Sequence, residues 1–205
     1  MTAVKLYDTT LRDGMQGQGM SLSAAEKVRV VHALDQLGVQ FIEAGFPASN
    51  PKEAELFELL AGEKLEQASI CAFGMTRRRG VEADQDEALH LLASTFAPVV
   101  TLVGKTWSLH LEKVTRVSRE ENLAMIAESI AFLRGEGKRV MYDAEHFFDA
   151  WNDDRDYSLE CLRAAQDAGA EVLVLCDTNG AHLPDQIGTA VAEVHSEISE
   201  AELGI

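Results

Sequence analysis

Residues 23–43 read SAAEKVRVVHALDQLGVQFIE, and this stretch predicts one helix followed by one strand. Ser23 and Glu26 have the spacing of a capping box, in which each side chain accepts a hydrogen bond from an otherwise unpaired backbone N–H. The residues that we expect to form the buried face of the helix, spaced i, i+4 and i+7, are Val30, Leu34 and Leu37. Gly38 can end the helix in a left-handed conformation, and the apolar run 39–42 predicts a buried strand.

The same order of a short apolar run and a longer amphipathic segment recurs along the chain. The apolar runs lie around 4–7, 39–42, 69–73, 99–103, 140–142 and 172–176. Helices are predicted after them, over 23–38, 51–61, 82–96, 118–137, 156–168 and 184–198. Ser118 and Glu121 predict a second capping box. Strict alternation of strands and helices predicts a parallel sheet, because parallel neighbours need a crossover between them.

The distance between strand ends distinguishes among the parallel folds. The expected ends, Asp13, Glu43, Gly74, Gly104, Glu145 and Asp177, are 30, 31, 30, 41 and 32 residues apart. A nearly constant unit is typical of a (β/α)8 TIM barrel, whereas a Rossmann fold needs a crossover back across the sheet. We therefore expect an α/β fold in which residues 1–205 are the N-terminal portion of a single TIM-barrel domain, with strands 1–6. The seventh strand is expected to end near position ~208, so strands 7 and 8 are expected to be missing.

The composition indicates a soluble globular protein of 205 residues, 46% hydrophobic and 25% charged. A formal net charge of −16 argues against nucleic-acid or anionic-membrane partners, because no basic surface is available to neutralise phosphates. No apolar run reaches the ~18–20 residues that span a bilayer, and no signal-peptide pattern is present. The three cysteines form no CxxC motif and predict no disulfide framework. We expect a cytoplasmic protein.

Charged and polar residues follow several predicted strands, where a barrel brings side chains together at one mouth. They are Arg12, Asp13, Glu43, Lys105, Glu145, His146, Asp177, Thr178 and Asn179. Any single one can instead cap the helix that follows it. Clustered carboxylates repel one another unless a positive group, usually a divalent cation, compensates them. The set predicts a metal-assisted or acid–base site and leaves its substrate open.

Several motifs resemble the signatures of the DRE-TIM metallolyase superfamily, which includes isopropylmalate, homocitrate and citramalate synthases and HMG-CoA lyase. They are YDTTLRDGMQ at 7–16, IEAGFP at 42–47, GKTW at 104–107, YDAEHFFD at 142–149 and LCDTNG at 175–180. The last two are similar to citramalate synthases of the long, two-domain type. EAGFPASNP at 43–51 departs from the EGGWPGSNP usual in that group and is closer to the isopropylmalate synthase pattern.

The resemblance implies a Claisen-type condensation of acetyl-CoA with a 2-oxo acid, pyruvate being favoured, in branched-chain amino-acid biosynthesis. Isopropylmalate synthase, homocitrate synthase and a lyase that runs the retro-condensation are the alternatives. A divalent metal (Mg, Mn or Zn) is implied as cofactor, with Asp13 as a ligand. A homodimer is also expected.

The resemblance also implies roles for the remaining site residues. Arg12 would face the substrate oxygens and stabilise enolate and alkoxide charge. Glu43 would pair with Arg12 and orient it, while Glu145 is the candidate for acid–base work near the acetyl group. Thr178 would hydrogen-bond the keto-acid carboxylate, and Gln16 would make a weaker substrate contact.

Family members complete the metal site with an H-x-H pair, which is expected beyond Ile205 because no H-x-H occurs in this chain. A third hypothesis is therefore that the chain is truncated and catalytically incomplete, and binds Mn²⁺ only weakly.

The roles of several other polar residues are less specific. Lys105 and His110 are possible phosphate or CoA contacts. Arg77–Arg79 would attract CoA phosphates or, as we favour, lie in a solvated loop. His146 would face the site or be a satisfied buried histidine, and His182 is expected on a solvated face.

Overall fold

The computed structural model describes residues 4–205, so the first three residues of the predicted 1–205 barrel portion lie outside the described residues. The described residues form the strands β1 (Tyr7–Asp8), β2 (Phe41–Gly45), β3 (Ser69–Met75), β4 (Val99–Lys105), β5 (Arg139–Glu145), β6 (Val172–Leu175) and β7 (Glu202–Gly204). Their helices are α1 (Ala24–Leu37), α2 (Pro51–Leu60), α3 (Glu87–Ser94), α4 (Ser108–His110), α5 (Arg119–Gly135), α6 (Phe147–Asp153), α7 (Arg155–Asp167) and α8 (Pro184–Glu197). None of the helices in residues 4–205 has the length and apolar character needed to cross a membrane.

The strands form one sheet in which they follow one another in chain order, β1 to β7. The pairs β1–β2, β2–β3, β5–β6 and β6–β7 are parallel, with Tyr7 opposite Phe41 and Met141 opposite Val172. This is the TIM-barrel-type α/β fold that the regular spacing predicted.

The number of strands differs from the prediction. Strand β7 lies within the chain and pairs with β6, with Val172 opposite Glu202. The expectation of six strands, with the seventh missing, is therefore wrong by one. The reason is that β7 has only three residues, Glu-Leu-Gly, and contains no apolar run that a periodicity search can detect.

The chain divides into two compact units, which are described separately. The first unit contains the chain up to Gly74 together with His90–Thr101, and its fully buried side chains include Ile42, Leu56 and Leu92. The second unit contains Met75–Leu89 and Leu102–Ile205, with Tyr142 and Phe147 among its buried side chains. The assignment of residues 1–205 to a single domain remains a prediction.

Helix α1 begins and ends as predicted but buries a different face. Both hydrogen bonds of the capping box between Ser23 and Glu26 are present, and Gly38 has a φ of 89°. The buried residues are Ala24, Lys27, Val31 and Asp35. The predicted face of Val30, Leu34 and Leu37 is therefore wrong, and Leu37 is 77% exposed. Apolar periodicity failed here because two of the buried residues are charged.

Each of these two charged residues has a specific partner within the first unit. The Nζ of Lys27 donates a hydrogen bond of 2.5 Å to Oε1 of Glu53 in α2. The carboxylate of Asp35 accepts hydrogen bonds from the backbone N–H groups of Glu66, Gln67 and Ala68, at 2.8, 2.9 and 2.7 Å. Burial raises the pKa of Asp35, but these three backbone donors outweigh it, and the pKa is lowered overall. Asp35 therefore ties the segment before β3 to the end of α1.

Substitution of Asp35 by alanine is expected to lower the free energy of unfolding by about 2–3 kcal/mol, because three backbone donors lose their acceptor. The folded-state pKa of Asp35 is lowered. The carboxylate therefore contributes its full stability above the unfolded pKa of about 3.9 and loses it as the pH falls through the folded pKa. Urea unfolding of wild type and Asp35→Ala at neutral and acidic pH measures both effects. Gln36→Ala at the exposed next position is the control, and an equal loss in the two variants would contradict the role of Asp35.

Candidate active site

In the first unit, polar side chains meet around the buried carboxylate of Glu43. Glu43 lies in β2 and is fully buried. Its Oε1 accepts a hydrogen bond from Nε of Arg12, and its Oε2 accepts one of 2.6 Å from the hydroxyl of Tyr7. Burial raises the pKa of Glu43, and Arg12 and Tyr7 only partly offset this, so that its pKa is raised overall. Both carboxylate oxygens of Glu43 are therefore engaged by side chains of the same unit.

The hydroxyl of Tyr7 continues this network to a further strand. It lies 2.6 Å from Oγ1 of Thr101 in β4. Because Tyr7 has one hydroxyl proton and donates it to Glu43, Thr101 is the donor in this contact. Tyr7 and Thr101 were not predicted as site residues, although Tyr7 is the first residue of the YDTTLRDG motif.

The guanidinium of Arg12 is fixed on three sides. Besides Glu43, its Nη1 donates to Oδ1 of Asp13 at 3.1 Å, and its Cζ lies 4.0 Å above the centre of the Phe73 ring. The Arg12 side chain is 18% exposed and that of Asp13 is 61% exposed. The guanidinium is thus a planar cation that is fixed by these contacts and still partly exposed to solvent. Such a group is suited to bind a carboxylate or a developing oxyanion. Gln16 lies exposed in the short 3-10 turn Gly14–Gln16 that follows.

The described residues do not make up a metal site by themselves. Residues 4–205 contain no group of three or more His, Cys, Asp or Glu side chains that could hold a metal ion. Asp13 offers one hard oxygen donor, and its Oδ1 is already paired with Arg12. Catalytic metal sites usually use three protein ligands. Asp13 therefore remains a proposed single ligand.

Calorimetric titration of this chain with Mn²⁺ is expected to show no binding tighter than about 1 mM, because one carboxylate is too few ligands. Asp13→Asn is the matched control, and any weak heat of binding should disappear in this variant. A micromolar isotherm that survives Asp13→Asn would contradict both the weak binding and the choice of ligand.

In the second unit, the ends of β4 and β5 bring Lys105 and Glu145 together. The Nζ of Lys105 donates a hydrogen bond to Oε2 of Glu145. The two side chains are 14% and 25% exposed. Nδ1 of His110 lies 3.9 Å from the same Glu145 oxygen. Glu145 is thus a partly open carboxylate with a cation beside it, an arrangement compatible with acid–base work.

Thr178 and His146 connect the end of β5 to the loop after β6. Oγ1 of Thr178 accepts a hydrogen bond of 2.9 Å from the backbone N–H of His146. His146 has a φ of 54°, a left-handed conformation that residues other than glycine rarely adopt. Its ring is half-buried, with Nδ1 3.3 Å from Oδ2 of Asp149. Thr178 is exposed, and because its oxygen acts as the acceptor here, its hydroxyl proton is not used in this contact.

Three expectations about other polar residues, concerning Arg77, the Ser118 capping box and His182, are wrong at least in part. Of Arg77–Arg79, predicted to lie in a solvated loop, Arg78 and Arg79 are exposed. Arg77 is not: its side chain is 6% exposed and pairs with Glu121 and Glu128 of α5. The second capping box is therefore only half formed, since the Ser118 hydroxyl accepts from the N–H of Glu121 while the Glu121 carboxylate binds Arg77.

His182 is also not on a solvated face. Its side chain is 8% exposed, and its Nδ1 lies 2.8 Å from Oδ1 of Asp177. The partners of Arg77 lie in α5, and the partner of His182 is Asp177 in the preceding loop. Neither contact produces a periodic pattern in the sequence.

Comparison with known proteins gives one family over almost the whole chain. The family described as HMGL-like matches residues 3–205. Over all 205 residues the chain is 46% identical to the (R)-citramalate synthase of Geobacter sulfurreducens, of which it covers 39%. It is 48% identical to the (R)-citramalate synthase of Synechocystis over 96% of the chain and 36% of that protein. It is 33% identical to the 2-isopropylmalate synthase of Listeria innocua over 98% of the chain and 38% of that protein.

Solved structures give the same fold. The hydroxymethylglutaryl-CoA lyase of Pseudomonas aeruginosa superposes with a TM-score of 0.79 at 20% identity, over 98% of this chain and 66% of that chain. The chain spans less than two fifths of the length of the curated relatives above.

Proposed function

Because the chain belongs to the HMGL-like family, we propose that this protein condenses acetyl-CoA with pyruvate to give citramalate and free CoA. The supporting observation is a difference in identity among the relatives. Those named (R)-citramalate synthase are 40–48% identical to the chain, whereas those named 2-isopropylmalate synthase are 32–38% identical. In this Claisen-type reaction, the acetyl methyl group loses a proton, the enolate attacks the 2-oxo carbon, and water cleaves the thioester.

A second candidate is 2-isopropylmalate synthesis. One feature of the chain favours it, the EAGFP segment at 43–47, which is closer to that group than to the citramalate type. The lyase structures share the fold at 15–20% identity and carry no argument about the direction of the reaction.

In the first unit, the proposed role of Arg12 is to bind the oxygens of the 2-oxo acid and to stabilise the alkoxide that forms on condensation. Its guanidinium is permanently charged, and Glu43 and Phe73 fix its plane, so little reorganisation is needed when negative charge develops. Glu43 acts through Arg12. Gln16, exposed nearby in sequence, is proposed as a weaker substrate contact.

In the second unit, the proposed role of Glu145 is to take up the proton from the acetyl methyl group. Lys105 beside it offers a cation to the enolate oxygen. The proposed role of Thr178 is to donate its hydroxyl proton to the carboxylate of the 2-oxo acid.

We propose that the protein uses acetyl-CoA and a divalent metal ion, as its motifs' resemblance to the DRE-TIM metallolyases implies. Asp13 is the proposed ligand from this chain for the metal, which is Mg, Mn or Zn. A homodimer and a cytoplasmic location complete the proposal.

The substrate is tested by measuring CoA release from acetyl-CoA with pyruvate, 2-oxoisovalerate and 2-oxoglutarate in the natural polypeptide. We expect kcat/KM for pyruvate to exceed the others by at least about 10-fold, because a pocket shaped for a methyl group excludes larger side chains. A preference for 2-oxoisovalerate would establish the second candidate instead. No CoA release with any of the three would overturn the proposed function.

A further inference from the structure

His110 is a partly buried residue beside Glu145, 18% exposed, to which the proposed reaction gives no role. It ends the three-residue helix α4, which follows β4 by two residues. Its Nδ1 is buried and has no hydrogen-bond partner among residues 4–205. A buried polar atom without a partner costs about 1–3 kcal/mol. Such a cost inside a candidate active site indicates a contact that forms at another stage of the reaction cycle.

A carboxylate oxygen of Glu145, which Lys105 also contacts, lies close to this nitrogen. Nδ1 of His110 lies 3.9 Å from Oε2 of Glu145, beyond hydrogen-bond distance by less than 1 Å. Lys105 donates its hydrogen bond to this same oxygen. The imidazole of His110 and the ammonium group of Lys105 therefore lie beside the same carboxylate oxygen.

Neighbouring rings fix the orientation of the His110 imidazole. The ring of His146 packs edge-on against it with centroids 4.5 Å apart, and the indole of Trp107 lies 5.3 Å away. A ring held on two sides cannot easily turn Nδ1 away from Glu145. The gap can close by a small movement of the Glu145 side chain, which is 25% exposed.

We propose that His110 is a positioning residue for Glu145, whose Oε2 accepts a hydrogen bond from the His110 Nδ1–H when Lys105 turns toward the substrate. This hydrogen bond fixes the orientation of the Glu145 carboxylate while its other oxygen, Oε1, takes up the proton from the acetyl methyl group. This inference rests on the proposed function of Glu145 as the base.

The charge state of His110 agrees with this role. Burial lowers the pKa of His110, as do the neighbouring His146 and Lys105, and the opposing effects of Glu145 and Asp149 do not restore it. These four groups come from β4, β5 and the start of α6. The imidazole is therefore neutral at physiological pH and donates through one tautomer without becoming a competing cation.

The contact can be tested without any turnover, by ¹⁵N NMR of the histidine rings in this chain. We expect the Nδ1–H tautomer at His110, and a further lowering of its pKa in Glu145→Gln, because a nearby negative charge is lost. Glu112→Gln, an exposed acid two residues along, is the matched control and should leave the His110 pKa unchanged. The Nε2–H tautomer, or no response to Glu145→Gln, would overturn the proposal.

The consequence for catalysis is tested with two substitutions in the natural polypeptide. His110→Phe keeps a ring against Trp107 and His146 but removes Nδ1, and should lower kcat about 10- to 100-fold with little change in KM for pyruvate. His110→Asn places an amide nitrogen near the Nδ1 position and should recover most of the loss. A His110→Phe enzyme with wild-type kcat would refute the positioning role. If the wild-type enzyme is itself inactive, the proposed function fails, while the tautomer and the Glu145→Gln response still decide the contact.

Discussion

Arg12→Lys is expected to lower kcat/KM for the condensation by about 100- to 1000-fold, the range found when one oxyanion donor is removed. Lysine keeps the positive charge but replaces a planar fork by a single ammonium, which cannot contact Glu43, Asp13 and the substrate in the same geometry. It also loses the flat packing of the guanidinium on Phe73. The loss should therefore appear in kcat as well as in KM.

The control for Arg12→Lys is Arg29→Lys on the exposed side of α1 in the same unit. This change should leave both kinetic constants within about 2-fold of wild type, as is usual for surface positions without special partners. An Arg12→Lys enzyme that retains more than about a tenth of the wild-type kcat/KM would show that oxyanion stabilisation does not depend on the guanidinium.

Glu43→Ala is expected to lower the free energy of unfolding by about 3–5 kcal/mol, the cost of breaking a buried ion pair by removing one partner. Arg12 would lose its main acceptor, and the hydroxyl of Tyr7 would lose the oxygen to which it donates. Activity should fall together with stability, because Arg12 would no longer be held in place.

Glu43→Gln separates the two effects of Glu43. Glutamine keeps the volume and can still accept from Arg12, so urea unfolding should show a smaller loss than for Glu43→Ala. If Glu43 acts only through Arg12, the combination of Glu43→Gln with Arg12→Lys should be little worse than Arg12→Lys alone. Full additivity of the two losses in kcat would contradict the positioning role of Glu43.

The sequence predicted most elements of the fold because its local signals and its overall pattern agree. Ser23 with Glu26 and Gly38 mark the ends of α1, and the near-constant spacing of strand ends indicated the TIM-barrel type. Strand β7 was missed because three residues with one apolar side chain carry no periodic signal. The buried face of α1 was missed because Lys27 and Asp35 are buried by partners that lie 26 to 33 positions along the chain.

The sequence predicted those site residues that are charged and follow a strand, or that belong to a motif resembling a known family. The pair of Arg12 with Glu43 is confirmed as a contact, and its catalytic use remains a proposal. Tyr7 and Thr101 were not identified, because a hydroxyl contact between two strands depends on register and leaves no pattern in the chain. The contact of Lys105 with Glu145 was likewise not predicted, since it joins the ends of two strands 40 residues apart.

The most direct test of the account uses acetyl-CoA labelled with ¹³C in its methyl group, incubated with pyruvate and the natural polypeptide. Carbon–carbon bond formation by the proposed condensation predicts that the label appears in the CH₂ group of citramalate, with one CoA released per citramalate. Labelled acetate with an equal amount of CoA would instead show simple thioester hydrolysis. That result, or unchanged acetyl-CoA, would contradict the account.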